Sequence, residues 1–176
     1  PYTIKVKQDK LCTPVCQNNI KGKKLKWLRK LIEQQYRIHF TFDGLPVLMR
    51  SSQYNYAVRG YPIGFKDRPL DHSEFEYYLY NHLKFIITYF ELEDGTGRVH
   101  ITGFDVHPVS MAHDIPQTGL AHSEISTCNA EGAHPVGNDP ATFLALKAPA
   151  GQDELPVIFS YDVEWNQSEL KWADRW

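Results

Sequence analysis

The chain has no apolar run long enough to cross a bilayer: its longest, around Phe85 to Phe90 and Leu155 to Ser160, fall far short of the ~20 residues a span needs. It has no glycine-rich phosphate cradle followed by Lys and Ser/Thr, no H-E-x-x-H pair and no G-x-S-x-G elbow, so the commonest nucleotide, zinc-peptidase and serine-hydrolase signatures are missing. It has no basic excess either. A formal charge of -2 and a pI near 6.5 argue against a nucleic-acid surface. Cysteine is scarce, at three residues. No internal repeat or low-complexity tract stands out. There is no initiating Met and no apolar signal core, so Pro1 is expected to mark a processed or trimmed boundary.

What is present suits one folded domain over residues 1–176, with 42% hydrophobic and 13% aromatic residues for a core. Tyr2 to Lys7 alternates as a strand would. From about Lys23 to Tyr36, Leu25, Leu28, Ile32 and Tyr36 recur at helical spacing, Trp27 and Leu31 widen the stripe, and Lys23, Lys24, Lys26, Arg29 and Lys30 fill the other face. That basic face either meets anionic lipid or an acidic partner, or is simply solvated. Ile38, Phe40 and Phe42 alternate with polar residues as in a half-buried strand, and Pro46 limits the next strand to an edge or a fresh start. Glycines 60 and 64 with Pro62 mark a turn-rich stretch. Glu76 to Leu92, a turn at 93–97 and Arg98 to Val109 read as a hairpin, with a bulge or close backbone approach near Gly103. Residues 110–154 read as a long irregular loop. Val157, Phe159, Tyr161, Val163 and Trp165 then give the cleanest alternation, with Ser160, Asp162 and Glu164 on the opposite, solvent-facing side. The expectation is a mainly β fold, an antiparallel β-sandwich with one covering amphipathic helix.

Candidate chemistry is sparse. Cys12 and Cys16 flank Thr13-Pro14, and a turn there would bring them within disulfide reach, leaving Cys128 odd. A zinc site would need more ligands than this chain places together. His113, His122 and His134 have no standard zinc spacing, so no metal or cofactor is expected. His39 and His82 read as hydrogen-bonded strand histidines. Asn166-Gln167-Ser168 is the only glycosylation sequon, with Asn166 the acceptor. Tyr61, Pro62 and Ile63 form either a contact face or part of the core. Asp105, Asp162 and Glu164 leave open a second reading, a secreted carbohydrate-binding or glycoside-hydrolysing β-sandwich.

The chain ends in a concentration of Trp and Lys/Arg, the composition of a membrane-water interface. Here Lys171-Trp172-Ala173-Asp174-Arg175-Trp176 resembles the segment before the first membrane span of the nonaspanins, the transmembrane nine superfamily or endomembrane protein 70, although Asp174 stands where serine is usual. Further blocks resemble that family in the same order: Cys12 to Cys16; Tyr36 to Val47, with Gly44 in place of an asparagine; Gly60 to Phe65; and Tyr80 to Phe85. The resemblance fades over 110–154. It implies a non-enzymatic luminal domain followed by membrane helices, in a Golgi or endosomal protein that supports sorting and surface delivery of other membrane proteins. The implied partners are those cargo proteins and the protein's own transmembrane region; Lys171, Trp172, Arg175 and Trp176 would be juxtamembrane. A further family cysteine lies upstream of the region covered here, so Cys128 either has its partner there or is a free thiol.

Overall fold

The computed structural model describes residues 2–51, 56–68, 74–92, 95–114, 127 and 142–174. In chain order the elements are β1 (Lys10–Lys21), α1 (Gly22–Glu33), β2 (Arg37–Ile38), β3 (Thr41–Phe42), β4 (Leu45–Pro46), β5 (Leu48–Arg50), β6 (Ala57–Arg59), β7 (Tyr61–Pro62), β8 (Gly64–Asp67), β9 (Glu76–Leu79), β10 (His82–Glu91), β11 (Val99–Val109) and β12 (Glu154–Gln167), then a 3-10 turn at Trp172–Asp174. The fold is mainly β, as expected. Its principal sheet has six strands in the order β1-β12-β10-β11-β5-β6. The sheet is mixed rather than antiparallel, because β12 lies parallel to β10 and β5 parallel to β11. The ribbons β2-β7, β3-β4 and β8-β9, together with α1, supply packing partners in place of a second extended sheet among the described residues.

Period-2 alternation decides which face is apolar. Cross-strand partners share a face, so Leu83, Phe85 and Ile87 of β10, Phe104 and Val106 of β11, and Tyr161 and Val163 of β12 form one surface. Leu45, Val47 and Tyr61 are buried against it, with Ile38, Phe40 and Phe42 packed behind. At the start of β12, Leu155 and Val157 pack with Ile20, Leu25, Ile32 and Leu79, so α1 covers that end of the sheet. Each fully buried aliphatic or aromatic side chain contributes about 1.5–3 kcal/mol. Gly103 sits opposite Thr88 at the expected β10-β11 bulge, where a Cβ would come within 3.1 Å of the threonine side chain. Asp43 (φ 49°) and Gly44 (φ 75°) make the two-residue turn between β3 and β4, an Asp-Gly signal suited to a type I′ hairpin.

Several expectations change. Tyr2 to Lys7 forms no strand; the first strand is β1, whose sequence looked like a turn. Glu76 to Leu92 is two strands, β9 and β10, in different sheets and divided at Tyr80-Asn81. The Cys12–Cys16 disulfide is corrected: Cys16 is a free, half-buried thiol and Cys12 is disulfide-bonded elsewhere. The reason is geometric. Thr13 and Pro14 are extended inside β1, where four residues span about 13 Å, twice what a disulfide allows. Pro14 is tolerated because β1 is an edge strand with register shifts at this point. Alkylation without reductant is expected to mark Cys16 and spare Cys12; a labelled Cys12 would refute this pairing. Cys128 lies outside the described residues. Of the 110–154 loop, Leu144 and Leu146 are buried, and the segment runs along β9 through Leu79 N–H to Leu144 O and Leu146 N–H to Tyr77 O.

Candidate functional site

The face of the sheet expected to meet solvent is instead partly sealed. Ser160 and Asp162 of β12 and His82 of β10 are almost wholly buried, at 1%, 2% and 0% exposure. Asp105 is buried as well and accepts from Arg50 Nε at 2.8 Å. This corrects the reading of Asp162 as a solvent-facing carboxylate. His82 Nδ1 and His113 Nε2 each lie 2.8 Å from Ser160 Oγ, and His113 Nδ1 lies 2.6 Å from Thr127 Oγ1. His82 Nε2 is 3.3 Å from Asp162 Oδ2 without the alignment of a hydrogen bond. Asp162 Oδ1 accepts from the Cys12 backbone N–H at 2.6 Å, which ties the β1 bulge to the cluster.

Ser, His and Asp in one chain invite a nucleophilic reading. The geometry argues otherwise. Ser160 Oγ is sandwiched between two imidazoles and shut from solvent, so an acyl substrate has no path to it in this conformation. Asp162 is 2% exposed, and Asp105, less deeply buried at 8%, is held by the largely exposed Arg50. The network fixes strand positions, since buried polar groups are costly unless partnered.

Burial, with the His82 ring beside it, pushes His113 down from 6.5 to about 4. A histidine harder to protonate when folded contributes stability that is complete above 6.5 and is lost as pH falls from there toward 4. We expect a loss of about 2 kcal/mol, allowing for solvent at the partly exposed ring, and a melting temperature roughly 5 °C lower near pH 4 than at neutrality, beyond that of His113→Gln. Parallel pH profiles for the two proteins would refute the assignment.

The other places of interest lie at the opposite end of the strands. Tyr89 pairs with Gln167, Ser168 N–H donates to Tyr89 O, and Leu92 N–H donates to Arg98 O, so the β10-β11 hairpin and the exit from β12 share one rim. Phe90, Leu92, Gly95, Ser168 and Lys171 line an open cleft there of about 1050 Å³. Leu170 and Trp172 are exposed beside it, and the Trp172 ring lies 6.4 Å from His100. Asn166 is exposed on this rim, with Nδ2 donating to Glu164 Oε1 at 2.9 Å. The Lys84 ammonium, then Asn166, holds the Glu164 carboxyl below its ordinary value. The sequon is therefore accessible in its acceptor residue. Arg175 and Trp176 lie outside the described residues, as do His122 and His134.

The contact face at Tyr61, Pro62 and Ile63 is not formed as such. Tyr61 is in the core, its ring 5.9 Å from Phe40, because the β2-β7 register places it opposite Ile38. Burial raises its phenol pKa. Pro62 and Ile63 are half-buried, and Ile63 packs under α1. Among the described residues no group of three or more His, Cys, Asp and Glu is placed to hold a metal.

The family model of endomembrane protein 70 matches residues 1–176. The chain belongs to the endomembrane protein 70 family. Among curated relatives it is 29% identical over 185 residues to transmembrane 9 superfamily member 10 of Arabidopsis thaliana, covering 100% of this chain and 27% of that protein. It is 30% identical over 180 residues to a transmembrane 9 superfamily protein of Schizosaccharomyces pombe (100% and 24%), and 28% identical over 201 residues to member 4 of Mus musculus (100% and 28%). This endomembrane protein 70 chain thus spans about a quarter of the length of these relatives. No solved structure matches it.

Two of the blocks that carry the resemblance to endomembrane protein 70, Gly60 to Phe65 and Tyr80 to Phe85, are architectural. A Cβ on Gly60 (φ +70°) would sit 2.5 Å from Ile38 O, and one on Gly64 would sit 2.1 Å from Tyr78 O. Asn81 donates through Nδ2 to Met111 O and Ile158 O and accepts at Oδ1 from Met111 N–H. The buried roles of His82, Ser160 and Asp162 had no local signal in the sequence; Asn81-His82 showed only as a resemblance.

Proposed function

We propose that residues 1–176 are one luminal domain of a multi-pass membrane protein of the Golgi and endosomal system, standing on the bilayer by the rim of Leu92, Leu170, Lys171 and Trp172. The domain takes part in sorting and surface localisation of other membrane proteins through protein-protein contacts, without catalysis. The observation that carries the reading is the rim itself: exposed Trp, Leu and Lys gather where β12 hands the chain on, in a family of membrane proteins of about four times this length. No described helix is long and apolar enough to cross a membrane, and the relatives extend well beyond the stretch that this chain matches. Arg175 and Trp176 continue the same composition.

The test uses the full-length protein in sealed microsomes with an epitope in this domain. Protease added outside is expected to spare the epitope until detergent opens the vesicles; digestion without detergent would place the domain in the cytosol and end the proposal.

A further inference from the structure

Charge is unevenly spread over this chain. Residues 21–33 hold six of its 19 Lys and Arg but only one of its 21 Asp and Glu. Two of those cations have structural work: Lys21 pairs with Glu154 at 3.5 Å, and Arg29 donates to Leu146 O at 2.6 and 3.2 Å. Lys23, Lys24, Lys26 and Lys30 are exposed and have no ion-pair partner among the described residues. In their midst stands Trp27, 59% exposed. On a helix, positions three and four apart are neighbours, so Lys23, Lys24 and Lys30 frame the indole directly. A large aromatic left in water is the kind of side chain that anchors interfaces, and the cations around it, without acidic partners among the described residues, can meet carboxylates.

The position of α1 narrows what would bind. α1 begins where Lys21 pairs with Glu154 at the start of β12, whereas the rim of Leu170 and Trp172 follows its far end. Fourteen residues of strand separate the two, about 45 Å. The basic face therefore stands well off any bilayer that the rim touches, which favours a protein over a lipid surface. We propose that the exposed face of α1, Trp27 framed by Lys23, Lys24, Lys26 and Lys30, docks an acidic segment of another protein's ectodomain that also offers an apolar side chain. The carboxylates meet the lysines, steer the encounter and lose their attraction as salt rises; the apolar group covers the indole. This rests on the sorting role for its setting, but its test needs no membrane, so its failure and a failure of the topology are distinguishable.

The experiment is fluorescence anisotropy of the 176-residue chain with a short synthetic peptide that alternates Glu and Asp with Leu and Phe. An isosteric Gln/Asn peptide and phosphatidylserine vesicles run alongside. Saturable binding of the acidic peptide is expected, weakened about tenfold by Trp27→Ala and by Lys23→Glu/Lys26→Glu, with unchanged circular dichroism because the altered side chains are exposed. Lys5→Glu, outside the face, should bind as the parent does. Absent binding, equal binding by all variants, equal binding of the neutral peptide, or binding to vesicles and not to the peptide would each overturn the proposal.

Discussion

Gly64→Ala is expected to remove at least about 4 kcal/mol of stability, enough to leave little cooperative unfolding in urea. The added Cβ would lie 2.1 Å from the carbonyl oxygen of Tyr78 and 2.8 Å from Ile32 Cδ1. A side-chain tip can swing away; a backbone carbonyl in the β8-β9 ladder cannot, since Gly64 is paired with Leu79. Relief requires β8 to part from β9 within the ribbon, and Leu79 of β9 and Ile32 of α1 belong to one buried cluster. Over-packing ordinarily costs about 1–3 kcal/mol, and a fixed backbone obstacle raises that. Gly95→Ala is the control: φ is +70° there, but nothing lies within 4 Å of the new Cβ. It should cost only about 1 kcal/mol, from conformation alone. Equal urea midpoints for the two variants would contradict the close-approach account.

Asn81→Leu is the second large effect, at about 3–5 kcal/mol. The Asn81 amide is 2% exposed and bonds three backbone groups: Met111 O at 2.8 Å, Met111 N–H at 2.8 Å and Ile158 O at 2.9 Å. Leucine fills similar space but abandons those groups, and each buried partner left unmet costs about 1–3 kcal/mol. The backbone at the same residue links Asn81 N–H to Val109 O and Ser160 N–H to Asn81 O. One side chain and its peptide groups thus join the entry of β10, the exit of β11 and the middle of β12. Urea unfolding should show the midpoint falling with little change in slope. A loss below about 1 kcal/mol would mean that water replaces the amide.

Those two positions show how much of the protein is written locally. β12 was legible because its odd residues alternate over an unbroken stretch, and the β10-β11 hairpin because a turn cluster separates two β-branched and aromatic runs. The membership of the family was legible from ordered short blocks. β1 was not, because Lys-Leu-Cys-Thr-Pro-Val-Cys-Gln-Asn-Asn-Ile-Lys is polar and carries a proline. Its strand character comes from pairing with β12, more than 130 residues on. Alternation likewise told that Asp162 and Ser160 share a face but not that this face is covered, since the period of a strand fixes direction and not burial. Tyr61 looked like a turn aromatic until the β2-β7 register turned it inward. Asp43-Gly44 carries a hairpin-turn signal, but Pro46 close behind it argues against a paired strand, and the two cues conflict until the short β3-β4 ribbon resolves them.

The central claim is that the sheet stands on a bilayer by its Leu170-Trp172 rim with α1 held away from it. It is tested most directly by an environment-sensitive fluorescent amino acid placed at Trp172 or at Trp27 of the full-length protein, reconstituted with lipid spin-labelled near the headgroup. The account predicts strong quenching at 172 and almost none at 27. Equal quenching at both sites, or quenching at 27 alone, would contradict it.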